Sequence, residues 1–170
     1  EWEIHSLAVF NNKLYAGTNT KGKILVFDGT SWSESYDSSE WEIHSLAVFN
    51  NKLYAGTNTK GKILVFDGTS WSESYDSSEW EIHSLAVFNN KLYAGTYPNG
   101  KILVFNGTQW SESYDSNEQT IISLAVFNNK LYAGTFSSGV IFVFDDVTWS
   151  RSYDASARTI ISLAVFNNKL

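Results

Sequence analysis

The chain contains no cysteine and no methionine, and only one proline in 170 residues. Without thiols there is no disulfide scaffold, no Cys-ligated zinc or iron–sulfur site and no thiol nucleophile. Cations are scarce: 12 Lys and Arg against 18 Asp and Glu leave a net charge of −6. That balance argues against a nucleic-acid partner, because phosphate-backbone binding needs clustered Lys and Arg. No apolar run approaches the ~20 residues of a membrane span, and no basic segment followed by an apolar run opens the sequence. Charged residues make up only 18%, whereas aromatic residues reach 16%.

What the chain has in abundance is itself. SLAVFNNKL begins at Ser6, Ser45, Ser84, Ser123 and Ser162, a constant step of 39 residues. Residues 1–39 and 40–78 are identical, residues 79–117 differ from them at six positions, and residues 118–156 at more than twice that number. Residues 157–170 open a fifth copy. A period of this size marks a solenoid, a propeller or an array, and outranks any single motif. Two identical copies imply recent amplification, natural or engineered. A chain that opens on Glu1 and stops within a strand-like segment at Leu170 is expected to be part of something longer.

Each copy reads as four strands. Ile4–Phe10 is rich in strand formers, and Asn11-Asn12 suits a two-residue hairpin turn because Asn tolerates positive φ. Lys13–Thr18 is a second strand, followed by a glycine-bearing loop at 19–22. Lys23–Phe27 is a third, Asp28-Gly29 a second hairpin signal, and Trp32–Tyr36 a more polar fourth. No helical period of useful length competes. LAVF and ILVF do not alternate, so both faces of those strands are expected to be covered, and with no helices available other sheets must cover them. Four antiparallel strands per ~40 residues describe an all-β propeller blade. The expected domain is one propeller over 1–170: four full repeats (1–39, 40–78, 79–117, 118–156) and the start of a fifth (157–170).

The segments Ile4-His5-Ser6-Leu7-Ala8-Val9-Phe10, Lys13-Leu14-Tyr15-Ala16-Gly17-Thr18 and Gly22-Lys23-Ile24-Leu25-Val26-Phe27-Asp28 resemble a WD-repeat blade, with Phe27-Asp28 where that family has its Trp-Asp pair. His-Ser-Leu-Ala-Val-Phe, then Lys-Leu-Tyr and a later Trp, is also similar to kelch repeats. The chain departs from both: it lacks the Gly-His pair of the one and the double glycine of the other. The resemblance implies an interaction platform, by analogy of fold. In a WD-type blade the loop after the second strand and the connection into the next repeat share one rim.

Those two connections are where the copies vary. The loop reads Asn19-Thr20-Lys21, Asn58-Thr59-Lys60, Tyr97-Pro98-Asn99 and Phe136-Ser137-Ser138 in successive repeats. Trp2, Trp41 and Trp80 share one position, flanked by carboxylates, and Gln119 and Arg158 replace them later. Polar replacement implies solvent access, and an exposed Trp can stack on a sugar or anchor a peptide. The candidate binding residues are therefore Trp2, Trp41, Trp80, Lys21, Lys60, Tyr97, Asn99 and Phe136. Neutral drift in exposed loops gives the same variation.

Other constellations read as structure. Trp32, Trp71, Trp110 and Trp149 occur in all four copies and are expected to cover the outer strand against an adjacent blade. His5, His44 and His83 share a slot that later holds Ile122 and Ile161. A slot that accepts isoleucine reads as packing, so no metal and no cofactor is expected. Asp28, Asp67 and Asp145 alternate with Asn106, a turn preference and not acid–base chemistry. Asn106-Gly107-Thr108 fits a glycosylation acceptor, and the Ser, Thr, Asn and aromatic richness leans toward an extracellular setting.

The expected function is a non-enzymatic scaffold binding protein or glycan through its rim. The alternative is a self-assembling or engineered propeller without a small ligand. A count of four repeats and a fraction leaves blade faces to be covered by self-association or strand exchange. A propeller enzyme fits poorly, since near-identical blades offer no asymmetric convergence of residues.

Overall fold

The computed structural model describes residues 3–155, 159–165 and 169–170. Among them there are sixteen strands and no helix. The first repeat contains β1 (Ile4–Phe10), β2 (Lys13–Thr18), β3 (Lys23–Phe27) and β4 (Trp32–Asp37). The second contains β5 (Ile43–Phe49), β6 (Lys52–Thr57), β7 (Lys62–Phe66) and β8 (Trp71–Asp76). The third contains β9 (Glu81–Phe88), β10 (Lys91–Tyr97), β11 (Lys101–Phe105) and β12 (Trp110–Asp115), and the fourth β13 (Thr120–Phe127), β14 (Lys130–Phe136), β15 (Val140–Phe144) and β16 (Trp149–Asp154). Each repeat forms one antiparallel sheet with its strands in sequence order. No helix is long and apolar enough to cross a membrane.

Turn chemistry sets the registers. Asn11 and Asn12 have φ of 47° and 59°, so β1 and β2 close on a two-residue turn with Phe10 opposite Lys13. The Asp28-Gly29 signal falls within the turn that the sequence places between Phe27 and Trp32. That turn spans 28–31, with Asp28 Oδ1 accepting from the backbone N–H of Thr30 and Ser31 at 2.8 and 2.9 Å. Buried Thr18 closes the connection between β2 and β3, its Oγ1 donating to the Lys23 carbonyl and accepting from the Lys23 N–H. Thr57, Thr96 and Thr135 repeat both bonds.

Contacts group the chain into two compact units, Glu1–Ile82 and His83–Leu170. Within the first, sheet packs on sheet: Phe10, Tyr15 and Ile24 of one repeat meet Ile43, Leu46 and Leu64 of the next. Phe10, Tyr15 and Phe66 form an aromatic triangle with centroids 6.0–6.2 Å apart. The second unit builds the same triangle from Phe88, Tyr93 and Phe144. Burial pushes the Tyr93 phenol up to about 12. Trp71 stacks on Phe66 of its own sheet and Tyr36 of the preceding one, and donates Nε1–H to Ser35 Oγ. Trp149 does the same with Phe144, Tyr114 and Ser113.

Coverage of the first strand is less complete than the apolar LAVF pattern suggests. Val48, Val87 and Val126 each stay 39% exposed. The first strand is an edge of its sheet, and along β5 Ile43, Leu46 and Phe49 are buried while Val48 stays open to solvent.

Neighbouring repeats pass close to one another at a glycine. A Cβ on Gly95 would lie 2.6 Å from both the side chain and the carbonyl of Ile121, and Gly17 and Gly56 meet Ile43 and Ile82 in the same way. Ile160 takes that place against Gly134, its N–H bonded to the Thr135 carbonyl. Gly95→Ala should therefore cost ~1–3 kcal/mol by overpacking, read from denaturant midpoints. A neutral substitution would mean the approach is loose.

Candidate functional site

The second-to-third strand loop and the connection to the next repeat are tied together before any ligand is considered. Ser38 Oγ donates to the Gly22 carbonyl at 2.6 Å and accepts from the Glu40 N–H. Gly22 N–H donates to the Trp41 carbonyl at 2.9 Å. Gly22 has φ of 50°, and a Cβ there would press on the Glu40 carbonyl, so the loop can lie this close only with glycine. Gly61, Ser77 and Trp80 repeat the arrangement in the second repeat. Ser116 and Gly100 repeat the serine bond in the third. In the fourth, Ala155 stands in place of the serine and donates its backbone N–H to the Gly139 carbonyl.

This clamp frames a cavity of about 450 Å³ lined by Thr20, Lys21, Asp37, Ser39, Glu40 and Trp41. Trp41 is 66% exposed, whereas Glu40 is buried. A flat apolar ring therefore stands beside one cation and two carboxylates. The third repeat has a cavity of about 340 Å³ at the same repeat positions, lined by Pro98, Asn99, Lys101, Asp115, Asn117 and Glu118. Its walls are polar, because Gln119 stands where the first cavity has Trp41.

The structure thus unites Lys21 with Trp41 in one cavity and places Asn99 in its counterpart. Trp80 is 61% exposed. Lys60 lies 4.0 Å from Glu40. Tyr97 is half-buried, ends β10 and meets His83 edge-on, and a cis peptide joins it to Pro98. Phe136 is exposed and bridges to Thr159. Trp2 lies outside the described residues. Asp37, Ser39 and Glu40 were not among the sequence candidates. Their signal was the two-point attachment of the connection, visible only once Ser38 and Gly22 meet.

The turn carboxylates stay out of this site. Asp28, Asp67 and Asp145 are held below the ordinary carboxylate value, first by the backbone N–H of Ser31, Ser70 and Thr148 and next by those of Thr30, Thr69 and Val147. Asn106 keeps the same two backbone bonds, to Thr108 and Gln109.

No protein-family model matches the chain, and no curated protein matches it in sequence. Solved structures do match. The WD40 repeats of RRP9 superpose with a TM-score of 0.69 at 14% identity, over 88% of this chain and 49% of that one. The extracellular domain of a protein described as a hybrid two-component system from B. thetaiotaomicron superposes with a TM-score of 0.72 at 15% identity, over 94% of this chain and 24% of that one. The chain spans about half of the first and a quarter of the second. The fold is a β-propeller fold of the WD-repeat kind, built from four-stranded antiparallel blades.

A carboxyl whose folded pKa is depressed stabilises above the ordinary Asp value of ~3.9, and that stabilisation is lost as pH falls through the lower folded value. A D28N, D67N, D145N variant keeps the turns, as Asn106 does. Its denaturant midpoint should fall less than the parent's between pH 5 and pH 2. Parallel curves would contradict the turn assignment.

Proposed function

We propose that the chain is a non-enzymatic scaffold that binds a protein or glycan ligand along one rim. The observation that carries this is the recurrence of one cavity at the same repeat positions, between the variable loop and the connection. Where the first repeat leads into the second, the ring of Trp41 offers a stacking platform, with Lys21 and Asp37 beside it for polar groups. The third repeat offers a polar version. Equivalent weak sites repeated along one chain act through avidity, which suits a repetitive ligand. The likeness to WD40 repeats supports the scaffold reading by fold alone. Screening against a glycan array and a displayed peptide library tests it. Binders should emerge that lose ~10-fold or more in affinity with W41A and W80A combined. A complete lack of binders, or binders indifferent to both substitutions, would overturn the rim site.

A second reading, self-association, has its own observation. Repeats one and two are identical in sequence, yet Leu7 is 59% exposed where Leu46 is 8%, and Ile4 is 48% exposed where Ile43 is fully buried. The open face holds a cavity of about 380 Å³ lined by Ile4, Leu7, Ala16, Leu25 and Trp32. The second sheet hides its same residues against another blade, so the surface that fits the first is a blade of a second copy. Sedimentation across a concentration series should reveal association, with Leu7→Asp shifting the population to monomer. A parent that is monomeric at every concentration would contradict it.

A further inference from the structure

The first strands β1 and β5, which lie side by side in neighbouring sheets, carry a second cluster at their N-terminal ends. Each has a register shift between its first Ile and the following Ser, so His5 and His44 sit at β-bulges. A bulge re-aims the side chain it carries. The two bulges aim their imidazoles at one another: His5 Nδ1 and His44 Nδ1 are 3.3 Å apart in hydrogen-bond geometry, with ring planes within 6°. Ser6 Oγ accepts from the Leu46 N–H at 2.8 Å, which fixes the spacing of the strands. Glu42 Oε2 lies 3.9 Å from His5 Nδ1 and 3.5 Å from His44 Nε2. On the far side of each ring stands another carboxylate: Glu3 Oε2 is 3.6 Å from His5 Nε2, and Glu81 Oε2 is 3.5 Å from His44 Nε2.

We propose that His5, His44 and Glu42 bind a divalent transition-metal ion, with zinc as the model ion, and that the ion staples the first repeat to the second. Tetrahedral zinc with bonds of ~2.0–2.1 Å sets its ligand atoms ~3.3–3.4 Å apart. The two Nδ1 atoms already have that separation, and Glu42 Oε2 stands 3.9 Å from that of His5. Two neutral rings facing through Nδ1 share one proton, and the ion takes its place. Both protons then reside on Nε2, where Glu3 and Glu81 receive them. A carboxylate behind each ligating imidazole fixes its tautomer and orientation. Three carboxylates around two neutral rings leave local negative charge for a dication to offset. Imidazole donors favour zinc, nickel or copper over calcium and magnesium. The isoleucines in this slot in later repeats, which at first suggest packing, mark repeats without a site: Thr120 and Thr159 replace the outer carboxylate in the same copies.

The same isoleucines supply substitutions the fold accepts. The full chain, stripped with chelator, is titrated with zinc by calorimetry and with cobalt(II) by visible absorption. Melting curves without metal verify that each variant folds. The parent should bind zinc, melt at higher temperature with it, and give intense tetrahedral cobalt bands. His44→Ile should lose ~100-fold or more in affinity along with those bands, and Glu81→Gln ~10–100-fold. His5→Ile serves the same purpose should His44→Ile fold poorly. No zinc heat in the parent, or equal binding by parent and isoleucine variants, would overturn the site.

Discussion

A single repeat of this sequence makes a sheet with more apolar surface than it can hide. Everything else follows from the need of each blade for a neighbour. Ile43 is fully buried only because it sits against Gly17 of the preceding sheet, and Phe66 finds its aromatic partners, Phe10 and Tyr15, across that same boundary. The hydrogen-bonded ladders hold strands within a blade, but they leave the blade's faces wet. Burial between blades supplies the apolar stabilisation that ladders alone do not. Leu7 and Leu46, identical in local sequence and opposite in exposure, isolate that dependence.

Functional geometry is a by-product of the same stacking. Bringing the first strand of one repeat against the second strand of the previous one draws the intervening connection over the earlier repeat's loop. Ser38, Gly22 and the Trp41 carbonyl then lock, and a cavity results wherever the loop and connection leave room. The strand-to-strand approach also sets His5 beside His44. Both clusters thus depend on the 39-residue step, and neither exists within one repeat.

Local features were the most legible in the sequence. The first three strands of the first repeat end where their turn residues indicate and the fourth runs one residue further, to Asp37, while β10 and β14 run one residue past their Thr, to Tyr97 and Phe136. The Asn-Asn turns were readable because their chemistry is local. The Asp28 turn was readable for the same reason, since its side chain organises it through two backbone N–H bonds. The valines at 48, 87 and 126 were expected to be covered, but an apolar run does not say how far a neighbouring sheet extends. The rim loops and the exposed Trp position were visible from variation between copies. Glu40, Asp37 and the pairing of His5 with His44 were not, since they depend on bulges and on which connection crosses which loop.

The dependence of each blade on a neighbour is open to direct measurement with two fragments, residues 1–39 and residues 1–82. Near-ultraviolet circular dichroism during urea titration reports the fixed aromatic packing. The two-repeat unit should show a cooperative loss of aromatic signal, and the single repeat no such signal even in water. A single repeat that unfolds cooperatively with the aromatic signature of the pair would show that a blade stands alone.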